Sequence, residues 1–193
     1  MKRGARELRI IGGRFRGRRL RFPAHGPIRP TPDRVRETLF NWLQPRIAGA
    51  RCLDLFCGSG ALGLEALSRG AAGSVFVDES QEVIAKLRAT VAEFGAEGAE
   101  FRAMDARRYL REPCQGPPFD VVFLDPPFAS TLLAPVAAAL EAGGYLAPQA
   151  FVYLESSRRT PLPPLPEALR AHREGTAGEV GYHLFRFEPL APA

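Results

Sequence analysis

Asp125-Pro126-Pro127-Phe128 closes the apolar run Phe119–Leu124 and lies 71 residues beyond Asp54-Leu55-Phe56-Cys57-Gly58-Ser59-Gly60. An exocyclic amine on a nucleic-acid base is a poor nucleophile, because its lone pair is delocalised into the ring. Asp125 can accept one amine hydrogen while a backbone carbonyl near Pro126 accepts another. That arrangement turns the nitrogen toward an electrophilic methyl and favours its pyramidalisation as the bond forms. Pro126 and Pro127 hold the carbonyls in an extended, preset shape. Phe128 offers a stacking face for a base drawn out of its helix. A strand exit that merely turns at Pro-Pro is the bland alternative, weakened by the motifs upstream.

Gly58-Ser59-Gly60 follows a strand and opens a helix, the context a cofactor loop requires. The string Gly58-Ser59-Gly60-Ala61-Leu62-Gly63 also matches the dinucleotide fingerprint, so NAD competes. Two features favour a sulfonium nucleoside cofactor, S-adenosyl-L-methionine. Asp54 would repel a pyrophosphate yet can accept from an amino-acid ammonium. Asp78 ends the next strand, where it can accept both ribose hydroxyls, with Glu79 as its nearest rival. Asp105 with Ala106, after a third strand, is placed for the adenine edge. Each of the three aspartates has an alternative reading as a helix cap. The cofactor set is therefore Asp54, Phe56, Cys57, Gly58, Ser59, Gly60, Asp78, Glu79, Asp105 and Ala106.

No Cys follows Pro126-Pro127, which disfavours a cysteine-assisted carbon methylation. Cys52, Cys57 and Cys114 have no metal-ligand spacing, and His25, His172 and His183 are scattered, so no metal is expected. Met1-Lys2-Arg3 leads into polar residues rather than an apolar run, and no stretch approaches membrane-spanning length. A cytoplasmic protein without a membrane partner is expected.

Residues 1–51 carry 14 Lys/Arg against 3 Asp/Glu, a net +11, while the other 142 residues carry 12 against 18, a net −6. The formal +5 is thus concentrated in an N-terminal region, and 24 of the 26 basic residues are arginine. Arginine's planar fork suits phosphate and also stacks on bases. Compositional habit is the competing explanation, but the acidic remainder uses arginine at ordinary density. Arg14, Arg16, Arg18, Arg19 and Arg21 read as a phosphate-binding surface, with Arg29, Arg34 and Arg36 near the mouth of the core.

These residues have to be positioned by alternating strands and helices. Strands are expected at Cys52–Phe56, Ser74–Asp78, Ala99–Met104, Phe119–Leu124 and Phe151–Glu155. Helices are expected at Ala61–Ser68, Gln81–Phe94, Ala106–Glu112 and Leu132–Glu141. This pattern predicts a parallel sheet with right-handed crossovers. Segments near Leu169–Glu174 and Val180–Phe187 suggest a terminal antiparallel pair. Leu8–Ile11 and Arg18–Phe22 suggest a small hairpin. Thr31 is expected to cap a helix that starts at Pro32-Asp33 and ends at Pro45. The domain reading is a basic extension with a hairpin over 1–30 and a catalytic domain over 31–193.

Taken together, the chain resembles the class I S-adenosylmethionine-dependent methyltransferases and, more narrowly, the bacterial RsmD family. The resemblance is carried by Arg9–Arg18 and Leu20, by Arg29-Pro30-Thr31-Pro32-Asp33-Arg34-Val35-Arg36-Glu37-Thr38-Leu39-Phe40-Asn41-Trp42-Leu43, by Asp54–Ala66 and by Asp125–Phe128. It implies an α/β, Rossmann-like fold: a seven-stranded, mostly parallel sheet in central order 3-2-1-4-5, helices on both faces, and an N-terminal β-hairpin. It also implies transfer of methyl from S-adenosyl-L-methionine, leaving S-adenosyl-L-homocysteine, to N2 of guanine 966 of 16S ribosomal RNA. The implied partner is that RNA within a small subunit or an assembly intermediate, met by a monomer. The family commonly carries Glu at the position of Asp78, and Asp keeps the charge while shortening the reach. Two other readings remain open on the residues alone. One is methylation of a different RNA or DNA amine such as adenine N6, and the other is a non-catalytic RNA-binding assembly factor.

Overall fold

The computed structural model describes residues 6–22, 31–127 and 131–190. Val-, Phe- and Leu-rich runs form a seven-stranded sheet, and the alternation of strand and helix makes its centre parallel. The strands are β3 (Arg51–Asp54), β4 (Gly73–Asp78), β5 (Ala99–Ala103), β6 (Phe119–Leu124), β7 (Leu146–Ser157), β8 (Leu169–Ala177) and β9 (Val180–Phe187). Their order is β5-β4-β3-β6-β7-β9-β8, with β7–β9 and β9–β8 antiparallel and the other pairs parallel. The predicted central order 3-2-1-4-5 and the antiparallel terminal pair are both present. A separate antiparallel hairpin joins β1 (Arg6–Arg9) to β2 (Arg19–Phe22). The expected boundary at residue 30 falls outside the described residues.

Central β6 is apolar on both sides because it is covered on both sides. On one face α1 (Asp33–Ile47) and α2 (Ala61–Ser68) pack Leu39, Phe40, Leu43 and Leu62 against Val121, Phe123 and Tyr153. Farther along that face, α3 (Gln81–Phe94) and the loop between the hairpin strands enclose Phe76 with Phe15, Leu87 and Phe94. On the opposite face α4 (Ala106–Tyr109) and α5 (Leu133–Ala142) cover Leu53, Val75, Val122 and Val152. No helix among the described residues is long and apolar enough to cross a membrane.

Three local expectations are corrected. Thr31 does not cap α1; Pro32 occupies the cap position without a side-chain bond, and the Thr31 hydroxyl instead donates to Glu155. Pro45 does not end α1, which continues to Ile47. Its missing N–H falls in the last turn, where little helix remains to disrupt, and the extension buries Ile47 completely. The helix expected over Ala106–Glu112 stops at Tyr109. The carbonyls of Tyr109 and Glu112 both accept from the Tyr145 hydroxyl, which holds that exit against β7's entry.

Candidate active site

Parallel register gathers the acids at one edge of the sheet. Asp54 of β3 stands opposite Phe76 of β4 and Phe123 of β6, so β3 ends at the level where β4 and β6 approach their own ends. Leu124 pairs with Leu154, and Asp125 and Glu155, one residue beyond, come to lie side by side. Chain direction across the sheet reverses between β3 and β6, since β3 leads toward β4 and β6 leads toward β7. Such a switch point opens a crevice outside the strands' carboxyl ends.

The glycine loop closes one wall of this crevice. The Cys57 N–H donates to the Val77 carbonyl at 2.9 Å and the Gly60 N–H to the Cys57 carbonyl at 2.6 Å. Gly60 has φ +74, the left-handed region that favours glycine, and a Cβ there would also press on the Leu87 methyls at 2.4 Å. Asp78 secures the loop from the next strand. It accepts from Gly58 N–H at 3.0 Å through one oxygen and from Ser80 N–H at 2.9 Å through the other. Glu79, its rival, is exposed on the turn. Phe56 and Ser59 are half-buried, and Cys57 is buried with its thiol pushed well up by burial and then by Asp54 and Asp78.

Asp54 is buried and accepts from Gly63 N–H at 3.0 Å. Burial pushes its carboxyl up to about 7; the Gly63 bond opposes this and Asp78 adds to it. Gly63, third glycine of the dinucleotide-like string, admits no Cβ, which would fall 2.3 Å from Phe76. Close packing of α2 on β4 therefore accounts for that match. Neither Asp54 nor Asp78 occupies a cap position, which Gly60 and Ser80 hold for α2 and α3, but Asp54 takes up the free Gly63 N–H in the first turn of α2. Asp105 does occupy one: it caps α4 through Arg107 N–H and Arg108 N–H and pairs with the Arg107 side chain. That hydrogen bond is the main reason its carboxyl lies below the ordinary range. Ala106, beside it, is buried.

Asp125 follows β6 directly, with Pro126 buried and Pro127 exposed; Phe128 lies outside the described residues. Burial drives the Asp125 carboxyl well above its ordinary range, and Glu155 and Asp54 push it further. Glu155 is only 4% exposed and accepts at one oxygen from Thr31 Oγ1 at 2.7 Å and Tyr153 OH at 2.8 Å. Among the described residues, no Lys, Arg or His forms an ion pair with Asp54, Asp78, Asp125 or Glu155. A crowd of unpaired carboxyl groups beside an open glycine loop fits a ligand that brings cationic groups and hydroxyl donors. S-adenosyl-L-methionine carries both. Glu155 was not among the residues expected in the site. The sequence shows only an acid after the apolar run Phe151–Leu154; that its strand lies beside the one leading into Asp125 is a property of the sheet.

The arginines divide into several kinds. Arg16 and Arg34 are exposed. Arg19 and Arg21 are also exposed and pair with Glu7 across the hairpin. Arg14 and Arg18 reach the carbonyl end of α3, where Arg18 donates to Glu93 and Phe94 and Arg14 to Gly95. They thus seat the hairpin loop as well as charge it. Arg36 overturns the expectation of an RNA-facing side chain. It is fully buried, bonded to the Arg9 carbonyl and to Asp33, with Glu65 at 3.9 Å. Its spacing with Phe40, Leu43 and Ile47 places it on the buried stripe of α1. Arg29 lies outside the described residues. Leu20, Arg21 and Phe22 of the hairpin face Gly58, Ser59 and Lys86 across a shallow cleft, so the basic extension adjoins the glycine loop.

Comparison with known proteins adds to this geometry. The family model described as "Conserved hypothetical protein 95" matches residues 8–186. The chain is 46% identical over 185 residues to ribosomal RNA small subunit methyltransferase D of Escherichia coli (strain K12), covering 96% of this chain and 92% of that one. The protein of the same name from Haemophilus influenzae is 41% identical over 182 residues, covering 93% and 94%. The solved structure of yhhF from Escherichia coli superposes with a TM-score of 0.86 at 45% identity, over 94% of this chain and 98% of that one. An RNA methyltransferase from Salinibacter ruber, solved in complex with S-adenosyl-L-homocysteine, shares the fold at a TM-score of 0.60 and 19% identity, over 85% and 97%.

Proposed function

The chain belongs to the RsmD family of small-subunit ribosomal RNA methyltransferases, and from that premise we propose that it methylates N2 of guanine 966 in 16S ribosomal RNA. The methyl donor is S-adenosyl-L-methionine, and the substrate is the RNA within an assembled or partly assembled small subunit in the cytoplasm. The observation that carries this reading is the placement of Asp125. It directly follows β6 at the switch point, one strand away from Asp54 and the glycine loop.

When bound, the cofactor supplies an electrophilic methyl group on a sulfonium. Asp54 and the Phe56–Gly60 loop hold its amino-acid end, Asp78 its ribose, and the Asp105–Ala106 turn its adenine edge. Asp125 and the carbonyls beside Pro126 and Pro127 accept the amine hydrogens of guanine, and Phe128 supplies the stacking face. Asp125 fixes the nitrogen and stabilises charge as it develops, which is how a group acts on the transition state rather than on binding alone. Arg16, Arg19, Arg21 and Arg34 meet RNA phosphates, and Arg14 and Arg18 add to that field from their seats on α3. A basic extension of residues 1–30 on a catalytic domain of 31–193, acting as a monomer, completes the proposal.

The test is transfer of labelled methyl to small-subunit particles followed by nucleoside mass analysis. The expected product is N2-methylguanosine, with Asp125→Ala lowering turnover about 100-fold while the protein stays folded. Methyladenosine would redirect the reading to adenine N6. Binding of cofactor and particle without any transfer would favour an assembly factor. Undiminished product from Asp125→Ala would remove the role given to that carboxyl.

A further inference from the structure

Asp125 and Glu155 stand side by side because β6 and β7 run parallel in register up to Leu124 and Leu154. The titratable groups facing Asp125 offer no positive charge: Glu155 comes from β7 and Asp54 from β3. Behind Glu155 lie the Tyr153 phenol and, from β9, Tyr182. Donors are shared unequally. Thr31 and Tyr153 both donate to Glu155, whereas no described residue donates to the Asp125 side chain. Two adjacent carboxyls, Glu155 buried and Asp125 half-buried, with no cation between them retain one proton, as like charges at close range disfavour double ionisation. The two hydroxyls hold the negative charge on Glu155, which leaves the proton on Asp125.

We propose that Glu155 is a positioning residue that makes Asp125 release its proton when a cationic methyl donor binds and take one back when the amine is methylated. The inference rests on the methyltransferase reading above. Its atoms and charges balance. As the N2–methyl carbon bond forms, the sulfur–methyl carbon bond breaks and sulfur keeps the electron pair. One proton leaves N2, and Asp125 accepts it. The carboxyl pair therefore faces one positive charge throughout: first a proton, then the sulfonium, then a proton again. Product departure leaves the pair ready for the next exchange.

Proton release on binding reads this directly, without turnover. Calorimetric titration at pH 7, repeated in buffers of different ionisation enthalpy, gives protons released per ligand bound. S-adenosyl-L-methionine should release about one proton more than S-adenosyl-L-homocysteine, which lacks the sulfonium charge. Any response of Asp54 to the amino-acid ammonium is common to both ligands and cancels in the difference. Glu155→Gln keeps an acceptor for Thr31 and Tyr153 but removes the charge, and should cut the difference to about half or less. Thr31→Val keeps both carboxyls and should preserve it. Equal release for the two ligands in the wild-type protein overturns the proposal. So does an undiminished difference in a Glu155→Gln variant that melts like wild type. Failure of both ligands to bind would overturn the methyltransferase reading itself, and this proposal with it.

Discussion

At the scale of residues, the site is a contest between burial and charge. Asp54 offers a pH signature. Its carboxyl is raised in the folded protein to about 7 from an ordinary value of 3.8. The folded state therefore binds more protons than the unfolded state across that window. The stability Asp54 contributes is full below about pH 4 and is lost as pH rises toward 7. Asp54→Asn should remove this dependence and raise the melting temperature at pH 8 by a few degrees, at about 3 °C per kcal/mol recovered. The same substitution should weaken cofactor binding in calorimetry. Asp78→Ala should weaken it about 10-fold or more, because the acceptor proposed for the ribose hydroxyls is lost and Gly58 is loosened, with little effect on RNA affinity. Asp54, Asp78 and Asp125 were legible in the sequence because each closes an apolar strand. Glu155 was not, since its meaning depends on which strand lies beside β6, and adjacency is a property of the sheet. Arg36 misled for a similar reason: basic character says nothing about which face of a helix a residue occupies.

At the scale of elements, the hairpin is held to α2 chiefly through two side chains, Glu65 and Ser68. Glu65 is fully buried and accepts from Ile11 N–H and Gly12 N–H at 2.8 Å each and from Arg69 Nε at 2.8 Å, with Arg36 nearby. Ser68 adds a second anchor, accepting from Phe15 N–H and donating to the Gly12 carbonyl. Glu65→Ala leaves Ile11 N–H, Gly12 N–H and Arg69 Nε without their acceptor and buried Arg36 with Asp33 alone as countercharge, and should cost about 3–5 kcal/mol in denaturant unfolding. Gly13→Ala tests the seat from the other side. Gly13 has φ +74, and its Cβ would fall 1.9 Å from the Ser68 carbonyl oxygen, so the loop cannot stay where it is. That variant should lose at least about 1 kcal/mol. Strand and helix positions were legible because the apolar periods are clean. The docking of the hairpin was not. It runs through backbone N–H groups to a glutamate 53 and 54 residues away, and backbone donors leave no mark in a sequence.

At the scale of the whole molecule, an acidic sheet edge, proposed to hold small cationic and hydroxylic groups, lies beside a basic flank proposed to meet RNA. Replacing Arg16 and Arg34 with Ala should weaken RNA association and flatten its salt dependence, by about 0.7 in log–log slope for each phosphate that is no longer neutralised. Arg36→Ala should instead appear as reduced stability, with any fall in RNA affinity tracking the fraction unfolded. The family's substrate could not be read from charge alone, because an arginine-rich surface attracts any nucleic acid. The hairpin's seat on α2 has one further consequence. The helix that carries Glu65 is the helix that Gly60 begins, so one element seats both the glycine loop and the basic hairpin. Where one ligand orders a part that the other needs, the two are thermodynamically linked, and linkage is reciprocal. The factor by which S-adenosyl-L-homocysteine tightens RNA binding must equal the factor by which RNA tightens S-adenosyl-L-homocysteine binding. Both are expected to exceed one in paired titrations and to fall to one in Gly13→Ala, where the arm no longer has its seat.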